Sequence, residues 1–433
     1  MIRIKLGHNN FLLPAIITCL CFAFGKNSNI ALLIYAGGVL SVLFLLFMDI
    51  DAEIYFICFL CANTSFVKIG STAVTGYLAI LCLIKFVFTK GKMDRRVLFA
   101  DAVFLAFVLI NCLINHDFTY MFSTIKFISL GLLLANYMLQ NDNKKKATIG
   151  AVDAYVQGTF IGGIISLALY LFQGSSYMLL YNRYIGLFDD PNYYSAGVCT
   201  AISMVMVRTM YNRRITGTDL LELFLLAIFG LMTVSRAFIV CFALVLVLYL
   251  TYMLFSSKIK AQYKISIIVF SIVGVFFLIN QTDIMTAVLK RFSEDSVQTG
   301  GDRIPIWNYY LSQFIKTPTS LFLGSLPAAT LVKNNVFHHV EHNTFIQIVY
   351  SFGLIGSILY VSTFLSAFRS IRNNRERVSL WKPAMICIVS IMSSFCFVSA
   401  MCSEIFVLSL YLSFFILAYF NPTSRKDNLG NEL

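Results

Sequence analysis

"EHNTFIQIVYSFGLIG", Glu341 to Gly356, sets three polar residues directly against an apolar run of membrane grade. Outward from it the same texture repeats. The chain has 433 residues, of which 58% are hydrophobic and 12% charged, whereas a soluble domain carries about 25% charged residues. Its apolar residues fall in blocks close to the ~20 residues that cross a hydrocarbon core of ~30 Å. The reading is an all-α, polytopic membrane helix bundle of about 12–14 transmembrane helices. Residues 1–433 form a single integral membrane domain, and one large outer loop, Gln281 to Glu341, carries short helices.

Fourteen apolar segments are expected to be helical: 11–25, 30–48, 53–69, 72–89, 97–114, 122–140, 148–173, 193–210, 219–233, 236–255, 265–280, 342–367, 383–400 and 403–420. Only "TVSR" separates the ninth from the tenth, which predicts a tight turn. The start, "MIRIKLGHNNFLLPAIITCLCFAF", has a basic head and a short apolar stretch, as signal peptides do. No small-x-small cleavage site follows and further spans come at once, so an uncleaved first helix is expected. The 11 cysteines lie in or at the ends of apolar segments, which argues against a disulfide framework. Cys58 and Cys61 form a CxxC with no second pair or histidine nearby and read as small core residues.

Charge orients the bundle, because Lys and Arg stay on the cytoplasmic side. With the amino terminus inside, the inner segments are "MIRIK", "KGKMDRR", "NDNKKK", "RTMYNRRITG", "SSKIKAQYK", "RSIRNNRERVSLWK" and the tail. They hold 22 of the 33 Lys and Arg residues; nine lie opposite, and Lys85 and Lys126 fall within helices. Both termini are therefore expected in the cytoplasm. The net charge of +12 is a topology signal facing anionic lipid and calls for no nucleic-acid partner. Lys85, Lys126, Asp101, Asp153, Glu222 and Glu404 all fall near helix ends, where long side chains can reach the surface. Almost nothing ionisable is expected at mid-membrane, which counts against an ion-coupled transporter.

Polar residues gather instead at outer helix mouths: Arg183 with Asp189, Asp190 and Asn192; Ser235-Arg236; Asp302-Arg303; and His338, His339, Glu341, His342 and Asn343. Arginine holds phosphate oxygens bidentately and keeps its charge, and histidine is the side chain best suited to act as a base near neutral pH. Each also has a plainer reading. A lone interfacial arginine is usually solvated or bound to a headgroup. "DDPN" starts a helix, with Asp190 as its cap. His338, His339 and His342 could ligate a metal, but nothing elsewhere completes the set. "GGDRIPIWNYYLSQFIKTP" reads as a surface helix with Asp302 as cap, Pro305 in the first turn and an apolar stripe of Ile306, Tyr310 and Phe314.

Taken together and in order, these stretches resemble the O-antigen ligase and polymerase superfamily. His342-Asn343, nine residues, then Gly353-x-x-Gly356 resembles its signature; "TVSRAF" resembles its Ser/Thr-Arg turn. "GGDRIPIWNYYLSQFIKTPTSLFLG" resembles its periplasmic Gly-x-Arg-x-x-x-Trp/Tyr helix, and "LFDDPNYYSAG" its Asp-Pro-Asn segment. The resemblance covers residues 170–367 and implies glycosyl transfer at the periplasmic face of a bacterial inner membrane. The donor would be a glycan on undecaprenyl pyrophosphate, with no metal and no cofactor. It places His342, Arg236 and Arg303 in catalytic roles and Arg183 beside them on the pyrophosphate. Asp190, Asn192, Glu341, Asn343 and Trp307 are further substrate-binding candidates. Implied partners are the undecaprenyl-pyrophosphate-linked oligosaccharide, the lipid bilayer and a chain-length regulator.

"FDDPNYY" and the aromatic outer loops favour an O-antigen polymerase, whose acceptor is a second lipid-linked repeat unit. The compact His342-to-Gly356 motif leans towards an O-antigen ligase, whose acceptor is the lipid A core. A non-catalytic sugar-lipid translocator is a third reading, but it calls for charges at mid-depth from several helices. His342 is expected to be the principal base, since three arginines would lower the pKa of Glu341. The orientation is tested by fusing, near Val297, a reporter active only in the cytoplasm. The fusion should be silent, and a bright signal would overturn the assignment of both faces.

Overall fold

The bundle is built from helices whose ends are set by short polar side chains. In the computed structural model, the residues described are 10–70, 72–116, 118–173, 179–180, 183–256, 259–266, 268–269, 286, 290, 303–325, 340–372 and 384–419. In chain order the helices are α1 (Leu12–Asn27), α2 (Ala31–Phe47), α3 (Ile50–Cys61), α4 (Val74–Lys90), α5 (Arg95–Asn115), α6 (Thr119–Gln140), α7 (Lys144–Gln173), α8 (Pro191–Asn212), α9 (Gly217–Met232), α10 (Arg236–Phe255), α11 (Arg303–Phe314), α12 (Pro318–Leu323), α13 (Thr344–Arg372), α14 (Ala384–Phe395) and α15 (Glu404–Tyr419). Two antiparallel hairpins complete the described structure: β1 (Lys68–Ile69) with β2 (Thr72–Ala73), and β3 (Leu179–Leu180) with β4 (Arg183–Tyr184). Among the described residues, α5, α10 and α13 and most of α6 and α7 are long and apolar enough to cross a membrane.

Thirteen of the fourteen predicted helices correspond to observed ones; most of the eleventh, 265–280, lies outside the described residues. Two ends differ. The third helix stops at Cys61, where the Asn63 amide donates to the Gly158 carbonyl (2.9 Å), and the chain turns into the β1–β2 hairpin instead of continuing to residue 69. The segment expected to run helically to residue 400 leaves the helix at Phe395, and residues 396–403 form turns, a bend and irregular backbone before α15 begins. Asp302, the expected cap of α11, lies outside the described residues, but Ile306, Tyr310 and Phe314 form its buried stripe as predicted.

α8 sits at the centre, buried on almost every side and packed by α7, α9, α10 and α14. Its small residues permit this. Gly197 brings Ile405 of α15 and Tyr155 of α7 against the helix, and the Tyr155 hydroxyl donates to the Gly197 carbonyl (3.3 Å). Lys85, Asp153 and Glu222 are paired within the protein instead of reaching out to its surface. Lys85 pairs with the buried Glu53 and donates to the Leu45 (3.0 Å) and Met48 (2.8 Å) carbonyls, closing the end of α2. Arg208 collects Asp153 (2.8 Å), Asp219 (2.7 Å) and Glu222 at the same end of the bundle, the one assigned to the cytoplasm by charge.

α13 contains one break, at Gly353, whose φ of 65° and ψ of −172° are open essentially to glycine alone. The break deprives the Tyr350 carbonyl of its helical partner, and the Ser325 N–H supplies a substitute (3.0 Å). The chain that leaves α12 thus plugs the gap, with Gly324 itself at φ 88°. A Cβ on Gly353 would lie 2.5 Å from the backbone of Gly324 and Phe322. The motif's second glycine, Gly356, makes room for the Phe107 ring of α5. Gly353→Ala is therefore expected to cost at least about 2 kcal/mol. Thermal unfolding in detergent should show a clearly lower Tm, and an unchanged Tm would mean the break is not needed.

Candidate functional site

The sequence candidates arrive at one end of the bundle on three helix starts. Asp190 caps α8, accepting from the Asn192 (2.7 Å) and Tyr193 (3.3 Å) N–H groups. Ser235 caps α10, accepting from the Phe238 N–H, and Arg236 is the first helical residue after it. Asn343 caps α13, accepting from Phe345 (3.0 Å) and Ile346 (3.1 Å). Each start presents the positive end of a helix dipole and N–H groups suited to anions.

Arg183, on β4, ties two of these starts together. Its Nε donates to the Thr233 carbonyl at the end of α9 (2.9 Å) and its Nη2 to Asn192 Oδ1 (3.1 Å). The same Asn192 oxygen accepts from Ser235 (3.0 Å). The "TVSR" turn is as tight as expected: Thr233 ends α9, Val234 takes a left-handed φ of 48°, and Ser235 opens α10. Asp189 stands apart, ion-paired with Lys68 of the β1–β2 hairpin.

The third start is joined to α8 through the non-helical segment 396–403. The Tyr193 hydroxyl donates to the Ser399 carbonyl. Thr344 donates to Val398 (2.7 Å) and accepts from the Ala400 N–H (3.1 Å), while Gln347 accepts from Met401 (3.0 Å). Arg303 of α11 lays its guanidinium 5.0 Å from the Phe397 ring. Trp307, one turn further along, donates its indole N–H to the Glu341 carbonyl (2.7 Å). Trp307 was expected to bind sugar, and this bond commits its polar edge to the main chain. His338 and His339 lie outside the described residues.

Glu341 and His342 precede the helix and are not on it. His342 is half-buried with φ 46°, and Glu341 is fully buried. The Glu341 carboxyl is not depressed by arginines, contrary to the sequence expectation. Burial raises its pKa above the usual value, against a smaller lowering by its own N–H and by Ser399. The Ser399 hydroxyl favours the ionised form, yet it stays outside hydrogen-bond geometry. Sequence reasoning also missed Phe397, Ser399 and Tyr350. The signal available for the first two was "SSFCFVSAMCSE", a run of small and polar residues interrupting an apolar block.

Comparison of the chain with protein-family models, with curated proteins and with solved structures finds no match in any of the three. The chemistry of the site therefore rests on its own residues. Three helix N-termini and three arginines favour an anionic group at this end, and His342 beside the buried Glu341 can accept or hold a proton.

The raised pKa of Glu341 has a consequence for stability. A carboxyl whose folded pKa lies above its unfolded value adds stability at low pH, and that stability is lost as pH rises through the folded value. Replacing it by an amide removes the dependence. Glu341→Gln should gain Tm over the parent protein as pH is raised from mildly acidic to mildly alkaline. Parallel pH profiles of the two proteins would contradict the assignment.

Proposed function

We propose that the protein is a surface-polysaccharide polymerase. It transfers a glycan from undecaprenyl pyrophosphate to a sugar hydroxyl of a second lipid-linked repeat unit, at the periplasmic face of a bacterial inner membrane. The supporting observation is that Arg183, Arg236, Arg303 and His342 come from four separate stretches of the chain to one end of the bundle. The leaving group is a lipid pyrophosphate, so fixed positive charge where its negative charge develops contributes most to the rate. Arginines and helix N-termini supply that charge without reorganising. His342 takes the acceptor proton as the sugar carbon is attacked, and the charge of the departing pyrophosphate spreads over the arginine end.

A purified-enzyme assay with lipid-linked repeat units tests the proposal. Arg236→Lys should lose most turnover although it keeps the charge, because a point charge replaces a planar fork. His342→Ala should fall by at least about a hundredfold, within the roughly 10²–10⁴ of general-base catalysis, and Glu341→Gln by less. The reverse order would move the base to Glu341. Full turnover by the lysine variant would reduce Arg236 to an interfacial charge. If the wild-type enzyme extended the lipid A core in preference to lipid-linked repeats, the ligase reading would replace this one.

A further inference from the structure

Beneath the 340–343 loop, four polar atoms are buried and find no hydrogen-bond partner among the described residues. They are both carboxylate oxygens of Glu341, the Tyr350 hydroxyl and the Ser399 hydroxyl. These groups are neighbours: Glu341 lies within electrostatic reach of Ser399 and of Tyr350. Tyr193, bonded to the Ser399 carbonyl, closes the side towards α8 and is likewise within reach of Glu341. Leaving one buried polar group unpaired costs about 1–3 kcal/mol. Four together at a helix mouth call for a partner that the chain's described residues do not supply.

The chemistry of the set narrows that ligand. A carboxylate repels a diphosphate, so the anionic part of the substrate belongs with the arginines and not here. A carboxylate beside two hydroxyls and tyrosine rings matches a molecule rich in O–H donors with an apolar C–H face. We propose that Glu341, Tyr350 and Ser399 form a subsite for one hydroxyl-bearing ring of the glycan. The carboxylate accepts from ring hydroxyls, and the Tyr350 and Ser399 hydroxyls donate to ring oxygens. Calling the ligand a glycan rests on the transfer reading given above; the subsite adds where its sugar end sits.

α11 covers the subsite. Ile306 and Tyr310 pack on Tyr350 in a small apolar cluster separate from the main core, and Trp307 holds the Glu341 carbonyl. A cover fixed by so few apolar contacts opens at lower free energy than the bundle itself, which gives the ring a way in.

The experiment uses Trp307 as its own reporter. The chain has two tryptophans, so Trp381→Phe leaves Trp307 alone. The full-length protein in detergent is titrated with the methyl glycosides of glucose, galactose, N-acetylglucosamine and rhamnose, and separately with inorganic pyrophosphate. At least one glycoside should shift the Trp307 emission saturably. Glu341→Leu should weaken that binding at least about tenfold, the loss expected for one buried hydrogen bond. Tyr350→Phe, which keeps the ring, should weaken it severalfold. The proposal is overturned if no glycoside saturates, if neither variant weakens binding, or if pyrophosphate competes for the same place. The readout needs no donor lipid and no turnover, so a failed transfer assay and a failed subsite give different results.

Discussion

A main-chain carbonyl or N–H left unpaired at the level of a membrane costs several kcal/mol, and the stretch between α14 and α15 carries several such groups. Residues 396–403 abandon the helix, and side chains of other helices take up the bonds this releases. Tyr193 serves Ser399; Thr344 serves both Val398 and Ala400; Gln347 serves Met401; and Tyr360 serves the Met401 carbonyl. α8 and α13 are thereby locked to one short irregular strap. The candidate site exists because that strap must be satisfied, and satisfying it brings two helix starts side by side.

The two ends of the bundle use charge in opposite ways. At one, Arg208 is enclosed by three carboxylates, and Lys85 is consumed by Glu53 and the carbonyls of α2. These cations are spent on holding helices together. At the other end Arg183 donates to the neutral oxygens of Thr233 and Asn192, and the Arg303 guanidinium rests on an aromatic face. These contacts stand beside three helix N-termini, whose dipoles favour an anion.

Hydrophobic block length made almost every helix legible, because crossing a membrane imposes a minimum run of apolar residues. Caps were legible too: Asp190 before Pro191 starts α8 as its chemistry requires. What escaped was whatever depends on a partner distant in sequence. The exit from α14 at Phe395 looks like continued helix, since the bonds that stabilise the irregular strap come from Tyr193 and Thr344. For Glu341 the residue type was noticed, but its burial was not, because nothing in "HHVEHN" tells which side chain turns inward. Lys85 was read as reaching for the surface, and only the packing of α2 and α3 against α4 reveals that its carboxylate and carbonyl partners lie within.

The plugging of α13 by Gly324 and Ser325 bears on how the loop that precedes α13 can be exchanged. A loop that merely lay over the bundle would be a cassette, replaceable from one protein to another with its specificity. Here the loop's own main chain completes a helix that belongs to the bundle, and two glycines, 29 residues apart, meet backbone to backbone. A chimera that takes the loop from elsewhere must therefore also take the first turns of α13. The natural unit of exchange in this architecture runs through Gly356, well past the point where the loop ends.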